Sequence, residues 1–205
     1  ITFLGATKTV TGSNFLLEGA GKRILIDCGL YQGKAAEERE NYEDFAYNVS
    51  DIDYLLLTHA HIDHAGMLPK AVVKGFTGTI LATKASADLN AIMLLDSANI
   101  QEQEAEQANR KGKRAGKDLV EPEYTVEDAE KTLQYFRTIE YGETVELSDT
   151  VKIRFIDAGH LLGSASIEMW INENGIEKKL VFSGDIGNIN KPLIRDPQYI
   201  HDADY

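Results

Sequence analysis

The stretch LLLTHAHIDHAG, Leu55 to Gly66, sets His59, His61, Asp63 and His64 into six residues directly after an apolar run. The chain has 5 histidines in all, so this one bend holds more than half of them. Imidazoles and carboxylates are the side chains that bind zinc and similar divalent ions. Side chains two apart on a strand point the same way, so His59 and His61 share a direction. Asp63 and His64 follow where the strand bends into a predicted helix. A structural zinc site would more often use cysteines, and the single cysteine, Cys28, lies elsewhere.

Three more candidates fall at the ends of other predicted strands. VKIRFIDAGHLLGSAS carries His160, followed by the small residues Gly163, Ser164 and Ala165. KLVFSGDIGN delivers Asp185 between Gly184 and Gly187, and RILIDCG delivers Asp27 between Ile26 and Cys28. One aspartate near a glycine is usually a turn, and one isolated histidine is usually a core or surface residue. Three such strand ends beside the histidine run point instead to a shared metal centre. His201, in QYIHDADY, has acidic surroundings and reads as a surface residue without a role.

The elements that must position these residues are strands at both ends of the chain and helices between. ITFLGA, NFLLEG and KRILIDCG read as strands, AAEERENYEDF as a short helix, and DYLLLTH as a strand buried on both faces, since it does not alternate. MLPKAVVKGF reads as a helix closed by Gly75, and GTILATK as another strand. SADLNAIMLLDSANIQEQEAEQANRK is a long helix, apolar then polar, which suggests that it leaves the core for solvent. TVEDAEKTLQYF opens on a capping-box pattern at Thr125 and Asp128. ETVEL, VKIRFIDAG, SASIEMWIN and KKLVFSGD return to strands, giving an α/β sandwich rather than a doubly wound sheet.

Composition is that of a globular protein with a proper core: 43% hydrophobic and 26% charged over 205 residues. No apolar run approaches the ~20 residues of a membrane helix, and no leader pattern opens the chain. With one cysteine there is no internal disulfide framework, so a cytoplasmic protein is expected. Because residue 1 is isoleucine, a few starting residues are expected to precede it. The net charge of −12 disfavours bulk attraction to nucleic acid, though not a local groove. One basic cluster, Asn109 to Lys117, reads either as a solvated loop or as a flap that grips phosphate.

Taken in order, Asp27, the His59–His64 run, His160 and Asp185 resemble the metallo-β-lactamase superfamily over nearly the whole chain. GATKTVTGSNFLL, LIDCGLYQG, AGHLLGSA and FSGDIGN are similar to one branch of it, the β-CASP nucleases, which includes ribonuclease J and the mRNA 3′-end-processing endonucleases. The resemblance implies a metallo-β-lactamase αββα sandwich, with residues 1–205 as the N-terminal part of a split domain. The β-CASP insert and the returning segment would lie beyond it.

The resemblance further implies two zinc ions, with manganese as an alternative. His59, His61 and His160 would hold one, Asp63 and His64 the other, and Asp185 would bridge them. Asp27 would stand behind them and orient a ligand histidine. Asp63 and Asp27 are the residues to which it assigns catalysis, and a hydroxide shared by the ions would attack phosphorus in line. The implied substrate is single-stranded RNA, with no membrane involved. The general acid and the fourth protein ligand of the second ion would come from the returning segment. Residues 1–205 alone are then expected to be nearly inactive, to bind the second ion weakly, and to self-associate as a homodimer through uncovered surface. The rivals are another hydrolase of the superfamily, acting on a thioester, lactam or cyclic nucleotide, and a non-catalytic RNA-processing scaffold. A scaffold should have lost ligands, and every ligand expected in this half is present.

Overall fold

The run Tyr54–Leu57 does not alternate because the strand it forms is covered on both sides. Leu55 and Leu57 pack under helices, while Leu56, between them, points into the space between two sheets. The neighbouring strands behave alike: Leu25 and Ile80 face the helices, whereas Ile24, Ile26 and Leu81 face the second sheet.

The computed structural model describes residues 1–33, 38–113 and 118–205. The first sheet runs β1 (Thr2–Phe3), β2 (Phe15–Gly19), β3 (Lys22–Ile26), β4 (Tyr54–Leu56), β5 (Thr79–Thr83) and β6 (Phe136–Ile139), in that spatial order. β1, β2 and β3 pair antiparallel, and β3 through β6 pair parallel. The second sheet is an antiparallel meander of β7 (Thr144–Ser148), β8 (Val151–Asp157), β9 (Ala165–Glu173) and β10 (Ile176–Phe182).

Among the described residues four α-helices, α1 (Ile62–Ala65), α2 (Leu68–Val73), α3 (Lys84–Lys113) and α4 (Val126–Thr132), contribute buried apolar side chains such as Ala65, Leu68, Leu94 and Ala129 to the cluster on the outer face of the first sheet. Among the described residues no helix covers the outer face of the second sheet. In β8, Val151, Ile153, Phe155 and Asp157 are buried and the residues between them are half-buried, the period of a strand with one face in the core. The expected sandwich forms, with its helix layer on the first sheet. No described helix is long and apolar enough to cross a membrane.

Some expectations needed correction. ITFLGA narrows to Thr2–Phe3. In AAEERENYEDF, Glu38 is helical and Arg39–Tyr42 form a 3₁₀ turn, while residues 35–37 lie outside the described residues. The TVEDAEKTLQYF helix starts as read, with both capping-box bonds present, but ends at Thr132 and passes through a 3₁₀ turn into β6, a strand that the sequence reading missed. Its long-range parallel pairing, Ile80 to Phe136, is invisible to local pattern. The polar half of α3 is largely exposed, as read, but carries a neighbouring segment along one side. Val126 N–H donates to Glu102 at 3.1 Å, and Asn109 exchanges hydrogen bonds with Val120, so the 118–126 segment runs along it. α2 does close at Gly75, whose φ of 103° is the left-handed conformation that glycine enters without strain.

Candidate metal centre

Neighbouring parallel strands β3 and β4 end side by side, and the first chemistry of the site lies in their tips. Asp27 leaves β3 with φ 57°, a region few non-glycine residues enter. There its carboxylate reaches across to β4. Oδ1 accepts from the Thr58 N–H at 2.8 Å, and Oδ2 accepts from Ser13 Oγ at 3.0 Å and from His64 Nδ1 at 2.7 Å. Thr58 Oγ1 lies 3.0 and 2.9 Å from the two carboxylate oxygens and 3.0 Å from His59 Nδ1. A buried carboxylate needs this many donors, since an unpaired charge there would be costly.

His61 caps α1, and Asp63 and His64 lie within that helix. The backbone holds the bend tightly. Ser13 N–H donates to Asp63 O at 2.9 Å, Cys28 N–H to His64 O at 2.8 Å, and a Cβ on Gly29 would overlap the Asp63 carbonyl.

The second sheet supplies the rest from the loops after β8 and β10. His160 N–H and Leu161 N–H both donate to Ser164 Oγ, at 3.0 and 3.2 Å. The Gly163 carbonyl accepts from Thr83 Oγ1 at 2.7 Å and Ser86 Oγ at 2.9 Å, which pins the His160 loop to the start of α3. Gly187 donates to Ala158 O at 2.8 Å, and its bare Cα lies against the Gly159 carbonyl, so the Asp185 loop packs directly on the His160 loop.

These four strand ends converge. His59 Nε2 is 3.0 Å from His61 Nδ1, which is 3.2 Å from His160 Nε2. One ligand atom each from His59, His61, His160 and Asp185 lie within 4.8 Å of one another. Asp185 stands between two groups: Oδ2 is 3.5 Å from His160 and 3.9 Å from His59, while Oδ1 is 3.5 Å from His64 Nε2. Asp63 Oδ2 is 4.0 Å from the same His64 Nε2. Three imidazole nitrogens with a carboxylate form a donor set that fits zinc and similar divalent ions. All six predicted ligands gather at this centre, and Asp27 lies behind them. His201 does not, being exposed at the surface, where its carbonyl accepts from Lys179 Nζ.

Electrostatics favour the neutral, ligating form at His59 and His61 but not at His64. Burial, with the facing His64, His61 and His160 rings, pushes His59 down to about 2, so it is neutral at physiological pH. Burial and His160 lower His61 as well. For His64, burial works downward, but the Asp27 hydrogen bond and the charges of Asp27, Asp63 and Asp185 outweigh it and the net shift is upward. Cys28 is pushed up to about 12 by burial, which makes it an inert core thiol.

The sequence reading had not picked out Thr58, Thr83 or Ser86, took Ser164 only as a small residue near His160, and included Ser13 only within the phrase GATKTVTGSNFLL. The available signal for Thr58 was a hydroxyl ending an apolar strand beside a candidate ligand. Of the basic cluster, Arg110 and Lys111 are engaged with Glu106 and Gln107 one helical turn back, and residues 114–117 lie outside the described residues.

Comparison with known proteins gives a consistent result. Residues 8–205 match the family described as the metallo-beta-lactamase superfamily. The chain is 38% identical over 193 residues to a ribonuclease, TTHA0252, of Thermus thermophilus, covering 94% of this chain and 39% of that protein. It is 32% identical over 202 residues to the transcription termination factor FttA of Methanosarcina mazei, covering 96% of this chain and 28% of that protein. The chain thus spans well under half the length of the curated relatives it matches. Among solved structures, a metallo-β-lactamase of Cronobacter sakazakii superposes with a TM-score of 0.53 at 23% identity, over 91% of this chain and 61% of that one, a likeness of fold.

Proposed function

The chain belongs to the metallo-beta-lactamase superfamily, and from that premise we propose that the protein carrying it is a β-CASP-type ribonuclease that hydrolyses RNA phosphodiester bonds at a two-ion centre. The observation that carries the choice of substrate is the 38% identity to a protein named as a ribonuclease, over 94% of this chain. The fold likeness to a β-lactamase, at 23% identity, gives no reason to prefer a lactam.

In this reading His59, His61 and His160 hold one ion, Asp63 and His64 hold the other, and Asp185 serves both. Zinc is our assignment, with manganese as the alternative, since nitrogen and oxygen donors accept either. When bound, such ions supply positive charge that acidifies water and neutralises phosphate oxygens. The chain's own residues do the rest. Asp27 and Thr58 hold two of the histidines in place from behind. Burial keeps His59 unprotonated and ready to ligate. Asp63 and Asp185 would flank the scissile phosphate. A cavity of about 580 Å³ opens beside the His160 loop, lined by Lys84 and Arg195 together with Asp88, Glu140 and Asp157, and none of the six ligand-type residues lines it. With a net charge of −12, and with Lys84 paired to Asp88, the chain would rely on the ions to hold RNA.

The test is cleavage of labelled single-stranded RNA by the full polypeptide that carries this chain, with and without chelator, and with Asp63→Ala. Metal-dependent cleavage that Asp63→Ala abolishes is expected. An enzyme inert on RNA and DNA but active on a thioester or a lactam would overturn the proposal. Metal titration of residues 1–205 should find one ion bound tightly and a second weakly, because the second group has only Asp63, His64 and the shared Asp185.

A further inference from the structure

We propose that Thr58 is a positioning residue: its hydroxyl dictates which ring nitrogen of His59 carries the proton, and thereby turns the lone pair of Nε2 toward the ion. This rests on the metal reading above and concerns a residue outside the ligand set.

The argument is one of hydrogen counting. A threonine hydroxyl has one hydrogen to donate and lone pairs to accept with, whereas an ionised carboxylate only accepts. Thr58 Oγ1 lies 3.0 and 2.9 Å from the two oxygens of Asp27, so its hydrogen goes to Asp27. The same oxygen lies 3.0 Å from His59 Nδ1. With the hydroxyl hydrogen committed, that contact is favourable only if His59 Nδ1 carries a hydrogen and donates it. A neutral imidazole then has its lone pair on Nε2, the atom 3.0 Å from His61 Nδ1 and 3.9 Å from Asp185. His64 needs no intermediary, because its Nδ1 donates straight to Asp27 at 2.7 Å. One buried carboxylate thus sets a histidine in each group, directly in one and through Thr58 in the other. Such partners behind ligands are worth 10–100-fold in metal affinity.

Thr58 has a second, purely steric contact that the test must separate. It is 1% exposed, and a Cβ on Gly184 would stand 2.8 Å from Thr58 Cβ and 3.1 Å from its methyl, so that side of the residue supports the loop bearing Asp185. Thr58→Val keeps the shape and removes the hydroxyl; Thr58→Ser keeps the hydroxyl and removes the methyl.

The experiment is cobalt(II) titration followed by visible absorption on the chain and both variants, with folding checked by circular dichroism. It is paired with long-range ¹H–¹⁵N spectra of the metal-free proteins, which report each histidine's tautomer. The inference expects a single Nδ1–H tautomer at His59 in the parent chain and in Thr58→Ser, and its loss in Thr58→Val. It also expects the first cobalt to bind ~10–100-fold more weakly in Thr58→Val, with Thr58→Ser close to the parent. Parent-like cobalt binding by a folded Thr58→Val, or an Nε2–H tautomer at His59 in the parent, overturns it. So does a Thr58→Ser as weak as Thr58→Val, which would make the methyl the agent. If Thr58→Val fails to fold, the tautomers of the parent and Thr58→Ser decide. A parent chain that takes up no cobalt at all sinks the metal reading with it, an outcome distinct from the others.

Discussion

The two sheets contribute to the centre in different physical states. From the first, Asp27, His59 and His64 have side chains 1%, 1% and 6% exposed and are tied together by hydrogen bonds, while His61 and Asp63, at the start of α1, reach out of that dry layer. The second delivers His160 and Asp185 with side chains 26% and 48% exposed. Topology explains the contrast. Parallel strands end side by side under a helix layer, so their tips are dry; a meander with one open face ends in loops that meet water. A polar group in the dry half must be bonded or the fold suffers, whereas one in the wet half can be spent on binding alone.

Removing Asp27 should have the largest effect. Asp27→Ala strands the Thr58 and Ser13 donors and a histidine whose partner is gone, and should cost about 3–5 kcal/mol in denaturant unfolding of the metal-free chain. Next comes Gly187→Ala. Its new Cβ collides with the Gly159 backbone, and overpacking of this kind costs about 1–3 kcal/mol. A loss of that size in thermal melts would sharpen the comparison, because it would show that the wet half is held at its backbone rather than by its side chains.

A smaller effect should come from the one deeply buried acid on the outer face of the second sheet. Glu168 is 2% exposed; burial works to raise its carboxyl, but Arg154 and Lys179 win and hold it below the ordinary value. A depressed folded value means stability that is present above the unfolded value near 4.5 and lost as pH falls below it. Unfolding measured against pH should therefore show an acid limb that Glu168→Gln flattens. The smallest effect is expected for Asp185→Ala, within about 0.5 kcal/mol in the metal-free chain, although metal binding should fall. Equal losses for Asp27→Ala and Asp185→Ala would break the comparison.

The same division separates what the sequence revealed from what it hid. The six histidines and aspartates that gather at the site could be picked out because each follows the end of an apolar run, a local pattern. Thr58 could not, since its importance comes from lying opposite Asp27, 31 residues away, across a parallel pairing that no local signal encodes. β6 was lost for the same reason: its four residues, FRTI, acquire meaning only beside β5. The long helix was readable in type but not in all its surroundings, because a segment from further along the chain runs along one side of its largely exposed polar half.

The partial exposure of Asp185 also has a kinetic meaning. An ion held between His59 and Asp185 would have protein on one side and solvent on the other, so it would leave by a swing of one surface carboxylate rather than an opening of the core. Release to a chelator should then be governed by local motion of the 184–187 loop. Its rate should stay flat as denaturant is raised through concentrations that leave the fold intact. The chain would trade ions with its surroundings while the histidines that receive them remain in place, ready for the next.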